Sequence, residues 1–99
     1  MAFKIVWSPI SRDDLKDIIR FIAADNPEIA EQFGYRLMNQ TDKLENFPEI
    51  GRCVPELHDP HIRELIFPPY RIIYRVTHEK QIIQIVRVWH GARGMPELA

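Results

Sequence analysis

The stretch that decides the fold is Tyr70–Val76, YRIIYRV, followed after a short break by Ile82–His90, IIQIVRVWH. Both runs alternate with a period of two and are rich in β-branched and aromatic residues, which is typical of β-strands. The break between them is the polar segment His78–Gln81. A two-residue loop at Glu79 and Lys80 would join the two strands as an antiparallel hairpin.

The register of this hairpin decides which side chains share a face of the sheet. The two-residue loop predicts these cross-strand pairs: Arg71 with Val88, Ile73 with Val86, and Arg75 with Gln84. His90 would lie on the face of Arg71, one diagonal step away. The opposite face would belong to the core and gathers Tyr70, Ile72, Tyr74, Val76, Ile83, Ile85 and Trp89. A surface with two arginines and a histidine would suit an anionic partner or substrate.

Upstream of the hairpin, capping signals predict a strand and two helices. Phe3–Trp7 reads as a short strand, and Ser8-Pro9 then supplies an N-cap and a first-turn proline. Asn26-Pro27 repeats that signal and begins a second helix, which ends near Asn46. The apolar residues expected to face the core are Leu15, Ile18, Ile19 and Ile22 in the first helix, and Ala30, Phe33, Leu37, Thr41 and Leu44 in the second.

The segment Phe47–Pro60 carries three prolines and a glycine and predicts a loop, with a brief extended piece at Cys53-Val54. A strand over Ile62–Phe67 would precede the hairpin, and residues 91–99 would form a flexible tail. Together these elements predict one α+β domain over residues 1–99. An N-terminal strand and an antiparallel helical hairpin would pack on a small, twisted, mainly antiparallel sheet.

Composition indicates an ordinary globular domain, with 45% apolar and 27% charged residues. No apolar run approaches the ~18 residues of a membrane span, so we expect no membrane association. Cys53 is the single cysteine, and the first seven residues are too short and interrupted for a signal peptide. Both features favour the cytoplasm. The net charge of −1 argues against a protein that depends on phosphate contacts.

Metal and cofactor signals are weak in this sequence. His58 and His61 have His-x-x-His spacing, but the loop that contains them offers no cysteine ligands nearby. Glycine-rich phosphate loops, nucleophile elbows and paired-cysteine motifs do not occur. We therefore predict no metal site and no cofactor.

An ordered set of short motifs resembles the RelE/ParE superfamily of toxins from type II toxin–antitoxin systems. The motifs are Trp7-Ser8-Pro9 with Asp14-Leu15, Asn26–Ala30, Phe47–Arg52, Arg63-Glu64-Leu65, Tyr70–Tyr74 and Val88–Arg93. Their order and spacing fit over nearly the whole chain. The resemblance implies a helical hairpin against an antiparallel sheet and a cognate antitoxin as partner. It also implies that operator DNA is contacted only through the antitoxin complex.

Two activities occur in this superfamily, and the resemblance leaves both open. RelE-like and YoeB-like toxins cut mRNA in the ribosomal A site, whereas ParE-like toxins inhibit DNA gyrase and have no catalytic residues. The YoeB-like pattern would make Glu56 the general base, Arg71 the stabiliser of the phosphorane-like charge, and His90 the general acid. The structural alternative for Arg71 is an ion pair with Glu64 on the neighbouring strand.

The end of the chain departs from the ribonuclease pattern. Gly91 follows His90, where YoeB-like toxins have a tyrosine, and the basic cluster of RelE-like enzymes is missing. These departures favour a ParE-like inhibitor of gyrase over a ribosome-dependent ribonuclease, while a harmless antitoxin-binding member is a third interpretation. The residues expected to contact antitoxin or target are Arg63, Arg71, Arg75, Trp89, His90 and Arg93.

Overall fold

Five strands, two helices and two short 3₁₀ turns make up the structure, a computed structural model that describes residues 2–98. The strands are β1 (Lys4–Trp7), β2 (Arg52–Cys53), β3 (Ile62–Phe67), β4 (Tyr70–Thr77) and β5 (Ile82–His90). The helices are α1 (Pro9–Asp25) and α2 (Pro27–Asp42), and the 3₁₀ turns are Lys43–Glu45 and Gly91–Arg93. In the described residues, no helix is long and apolar enough to cross a membrane.

Both helices begin at the predicted caps. The Ser8 side chain accepts a hydrogen bond from the Ser11 amide at 3.1 Å, and the Asn26 side chain accepts from the amides of Glu28 and Ile29. A proline follows each cap. The connection between α1 and α2 is therefore a single residue that caps the second helix, which forces the two helices into a tight hairpin.

The sheet has the strand order β1-β5-β4-β3-β2. The first strand lies at an edge and pairs in parallel with the last, while every other neighbouring pair is antiparallel. The two helices pack on one face of this sheet, which we call the helix face. The predicted α+β architecture is thus confirmed, and the structure adds the position of β1.

Apolar residues are buried on both faces of the sheet. The main core lies on the helix face and consists of Leu37, Leu44, Phe67, Ile72, Tyr74, Val76, Ile83, Ile85 and Val88. A smaller cluster on the other face, which we call the second face, contains Val54, Ile62, Ile73 and Val86. Leu57 from the loop after β2, and Met95 and Leu98 from the C-terminal segment, pack against this smaller cluster.

The predicted hairpin register is right near the turn and wrong beyond it. Arg75 pairs with Gln84 as predicted, but a β-bulge shifts the following pairs by one residue, so that Arg71 lies opposite Trp89. Val86 is the extra residue. The side chains that follow it in β5 consequently exchange faces with respect to the prediction.

Polar side chains at the start of α1 explain the bulge. Strand β1 ends at Trp7, opposite Ile85, and leaves the outer edge of β5 without a partner strand beyond that point. The Ser8 hydroxyl donates to the Val86 carbonyl at 3.1 Å, and the Val88 amide donates to the Asp14 carboxylate at 3.0 Å. These two bonds replace a strand ladder at the edge of β5.

The bulge moves the last residues of β5. Val88 lies in the main core, and Trp89, which we predicted for the core, lies instead on the second face beside Arg87. His90 lies opposite Tyr70, with the two ring centroids 5.4 Å apart. The predicted placement of His90 on the face of Arg71 is therefore wrong.

Asp14 should be the residue on which this part of the fold depends. Its carboxylate accepts from Arg87 at 2.8 and 2.9 Å, besides the bond from the Val88 amide. Asp14→Ala leaves a largely buried guanidinium and an amide without their acceptor, and we expect a loss of about 2–3 kcal/mol in the free energy of unfolding.

Urea denaturation measures this loss, and Asp17→Ala, exposed on the same helix, is the matched control. The control should change the free energy of unfolding by less than about 0.5 kcal/mol. Equal losses in the two variants would show that Asp14 does not hold β5 in place.

Candidate functional site

Four charged side chains form a connected network on the second face. The Glu64 carboxylate is fully buried and accepts from Nε of Arg52 at 2.7 Å and from Nε of Arg71. The two terminal nitrogens of Arg71 donate to the two oxygens of Glu56 at 2.8 Å each. Because an unpaired buried carboxylate is strongly destabilising, the two arginines are what allows Glu64 to sit inside the sheet.

The sheet and one loop position this network. Arg52 and Glu64 are directly paired between β2 and β3, and Arg71 reaches Glu64 from β4. Glu56 comes from the loop after β2, where Val54 is anchored in the smaller apolar cluster. The ion pair of Arg71 with Glu64, considered from the sequence as the structural alternative, is therefore present. The contact of Arg71 with Glu56 adds a second partner.

The pairing shifts the acidity of both partners. The pKa of Glu56 is lowered, chiefly because Arg71 donates hydrogen bonds to its ionised form. The pKa of Arg71 is raised above its already high ordinary value, first by the hydrogen bond to Glu56. Glu56 is therefore a weaker base than an ordinary glutamate, and both of its oxygens are engaged.

A shallow cavity of about 380 Å³ opens over this ion pair. Its wall is mainly apolar and includes Pro55, Ile66, Pro68, Pro69 and Gly91. Arg52, Glu56 and Arg71 contribute its charged groups. The cavity thus combines an apolar rim with a guanidinium whose counter-ion faces solvent.

His90 is not among the residues that line this cavity, although its neighbours Tyr70 and Gly91 are. Its Nδ1 accepts a hydrogen bond from the Ala92 amide at 3.1 Å, which caps the 3₁₀ turn after β5. Its ring meets Tyr70, whose own ring contacts Phe33 of α2 at 5.5 Å. The structure therefore brings Glu56 and Arg71 together, while His90 lies on the helix face.

The other predicted contact residues divide between the two faces. Arg63 lies on the helix face, where its Nη1 donates to the Gly51 carbonyl at 2.8 Å. Arg75 is half-buried on the second face and pairs across to Ile62. The predicted set therefore does not form one continuous surface.

Trp89 lies on the second face and contacts the guanidinium groups of two arginines. The guanidinium of Arg87 lies 4.6 Å and that of Arg93 lies 4.0 Å from the centre of a Trp89 ring. Arg87 was missed by the sequence reasoning, because the predicted register assigned it to the core face. A bulge that depends on a distant carboxylate leaves no signal in the local pattern.

The C-terminal segment crosses the second face next to these side chains. Met95 and Leu98 pack on the smaller apolar cluster. The backbone carbonyl of Gly94 accepts from Arg71 at 3.4 Å, and that of Glu97 accepts from Arg87 at 3.2 Å. Residues 94–98 of the segment predicted as a flexible tail are therefore in contact with the sheet.

A second concave surface was not anticipated from the sequence. It is an apolar groove of about 950 Å³ between β1 and the two helices, lined in part by Val6, Leu15, Ile19 and Met38. It continues along α2, where Tyr35 is 67% exposed. Its rim carries three basic residues, Lys4, Arg12 and Lys16, and the acidic Asp13. The available signal was the apolar Tyr35 and Met38 outside the predicted core stripe of α2.

The possible metal ligands among the described residues do not form a cluster. Within residues 2–98, no three histidine, cysteine, aspartate or glutamate side chains come together as a metal site would require. The polar chemistry of the described chain consists instead of ion pairs, arginine–aromatic contacts and the two concave surfaces.

Comparison with known proteins gives a family and a set of related folds. Residues 5–95 match the family model described as ParE toxin of type II toxin-antitoxin system, parDE. A solved structure of the chromosomal ParDE toxin–antitoxin system from P. aeruginosa has a TM-score of 0.72 at 23% identity, covering 90% of this chain and 96% of that chain. A comparison with curated proteins gives no match.

Two further solved structures are RelE-like. The toxin–antitoxin complex RelBE2 from Mycobacterium tuberculosis aligns with a TM-score of 0.63 at 18% identity, covering 91% of this chain and 99% of that one. A mutant of the E. coli toxin RelE in the free state aligns with a TM-score of 0.60 at 18% identity, covering 95% and 88%. At these identities the likeness is one of fold.

The Arg71–Glu56 pair gives a testable pH dependence. The pKa of Glu56 in the folded protein lies below its ordinary value of 4.5. The ionised carboxylate therefore adds its full stability above that ordinary value, and this contribution is lost as the pH falls through the folded-state pKa. We expect the stability difference between wild type and Glu56→Gln to be constant from pH ~5 to ~8 and to shrink at lower pH.

Urea denaturation at a series of pH values measures that difference. Glu79→Gln, in the exposed β4–β5 turn, is the matched control and should show a small difference without this trend. A Glu56→Gln difference that grows as the pH falls would contradict the ion pair.

Proposed function

The chain belongs to the ParE toxin family of type II toxin–antitoxin systems, and from that membership we propose that it inhibits DNA gyrase by protein–protein contact in the cytoplasm. In this proposal a cognate antitoxin binds and neutralises it, and operator DNA is contacted only by the antitoxin complex. The proposal needs no cofactor and assigns no catalytic residue.

The observation that carries this proposal is the separation of Arg71 from His90 by the sheet. In-line cleavage of RNA requires a base, a charge stabiliser and an acid around one phosphate. Here the acid candidate His90 is on the helix face, and the base candidate Glu56 has a lowered pKa and is bound to Arg71. This arrangement supports action by contact in preference to ribosome-dependent cleavage of mRNA.

We assign the contact with gyrase to the second face. Arg93 is exposed there, Arg75 and Trp89 are half-buried, and the contact of Trp89 with Arg93 presents an aromatic and cationic surface. Aromatic residues and arginine are the side chains that contribute most at protein interfaces. His90, whose ring packs against the ring of Tyr70 on the helix face, is outside this proposed surface.

We assign the antitoxin to the apolar groove beside β1 and the helices. Tyr35 and Met38 are exposed apolar residues in this groove, and Lys4, Arg12 and Lys16 surround it. An amphipathic helix or extended segment with acidic residues at its margins would be complementary to such a surface. Antitoxin binding there would leave the second face to the target.

Labelled precursors after controlled induction in bacteria test the mode of action. We expect thymidine incorporation to fall before methionine incorporation, because the proposed target acts on DNA. His90→Asn should inhibit DNA synthesis within about threefold of wild type, since asparagine can also cap the turn. A general acid would instead contribute roughly 10²-fold or more.

Purified gyrase with wild-type toxin and Arg93→Glu extends the test in vitro. The charge reversal should weaken inhibition of supercoiling, whereas Lys80→Glu in the distant turn should not. An immediate halt of translation, abolished by His90→Asn, would contradict the proposal and favour a ribonuclease.

The groove makes a separate prediction for the antitoxin. Met38→Glu should weaken binding of the cognate antitoxin by roughly 10²-fold, because it buries a carboxylate among apolar contacts. Asn39→Glu, exposed at the next position of α2, is the control. Unchanged affinity of Met38→Glu by titration calorimetry would move the antitoxin away from this groove.

A further inference from the structure

The two carboxylates bound to Arg71 differ in accessibility. The Glu64 side chain is fully buried between two arginines and is a permanent part of the sheet. The Glu56 side chain is 41% exposed, although the Arg71 side chain that it binds is only 10% exposed. The Arg71 side chain is thus largely buried, whereas its counter-ion Glu56 comes from a surface loop.

The cavity around the Arg71 guanidinium would suit a ligand that carries a negative charge next to an apolar group. Three prolines and Ile66, itself 52% exposed, surround the charged floor of the cavity. Gly91 adds backbone to the wall, and a side chain at that position would approach the Pro69 carbonyl to 3.3 Å. Small and rigid residues therefore keep the approach to Arg71 open.

We propose that the Arg71 guanidinium receives an acidic side chain of a protein partner, and that Glu56 occupies this receptor in the free toxin. The partner segment would carry an aspartate or glutamate next to an apolar residue that contacts the proline rim. The identification of the partner as a protein rests on the proposed function. The receptor itself rests on the geometry of Arg71, Glu56 and the cavity.

The net charge at the cavity favours a carboxylate over a phosphate as the anion bound to Arg71. With Glu56 moved into solvent, the positive charges of Arg52 and Arg71 and the negative charge of Glu64 leave one net positive charge at the cavity. One carboxylate neutralises that charge and repeats the bidentate geometry of Glu56. A dianionic phosphate would bring an excess negative charge next to the buried Glu64.

Displacement of Glu56 exchanges one carboxylate for another at the same donors. Arg71 keeps its hydrogen bonds, and Glu56 gains full hydration in the exposed loop. The net gain would come from the contacts of the partner's apolar residue with the proline rim. A segment that offers only a negative charge should therefore compete poorly with Glu56.

A titration of Glu56→Ala with sodium acetate tests this receptor. The side-chain Nε–H resonance of Arg71 is followed by ¹⁵N NMR at constant ionic strength, with chloride as the balancing anion. We expect the resonance of Glu56→Ala to shift saturably, with a midpoint at least tenfold below that of the wild type. Glu79→Ala, in the exposed turn, should behave as the wild type does.

A second titration with inorganic phosphate distinguishes the anions. Binding of phosphate at least tenfold tighter than acetate would overturn the carboxylate assignment. Absence of a saturable shift in folded Glu56→Ala would overturn the receptor itself. Neither titration contains gyrase or antitoxin, so either failure is distinguishable from failure of the proposed function, which the incorporation and supercoiling experiments report.

Discussion

Two hydrogen bonds at the outer edge of β5, one donated by the Ser8 hydroxyl and one accepted by the Asp14 carboxylate, determine how the rest of the sheet presents its side chains. Strand β1 has only four residues and ends before β5 does. Backbone groups beyond that point would lack partners if the first helix did not begin there with a hydroxyl and a carboxylate. Because the edge is satisfied by side chains, β5 can accommodate one extra residue.

The consequences of that extra residue reach both faces. On the helix face, Val88 enters the main core and His90 meets Tyr70. On the second face, Trp89 contacts the guanidinium groups of Arg87 and Arg93, and Asp14 holds Arg87 by two hydrogen bonds. Local pattern describes this surface as cationic, whereas Arg52, Arg71 and Arg87 are each paired there with a carboxylate. The Arg71 guanidinium is bound to Glu56 and Glu64, and His90 lies on the opposite face of the sheet.

The sequence predicts most of the local structure and half of the hairpin register. Ser8 and Asn26 are strong helix caps, and the alternation of β4 and β5 near their turn is regular, so these features follow from neighbours in the chain. The bulge does not, because the Val88 amide and the Asp14 carboxylate are 74 positions apart. The contact of Glu56 with Arg71 is also not predictable, because it depends on the path of a loop that has no periodicity. The Arg71–Glu64 pair could be considered because both residues lie on neighbouring predicted strands.

The most direct test of this account is the side of the sheet on which His90 lies. A nuclear Overhauser experiment on the isolated toxin reports it through contacts of the His90 ring protons. We expect cross-peaks from His90 to the ring of Tyr70, together with cross-peaks from Trp89 to the side chains of Arg87 and Arg93. Cross-peaks from His90 to the Arg71 side chain, with Trp89 in contact with the main core, would show that β5 has no bulge and would restore the ribonuclease geometry.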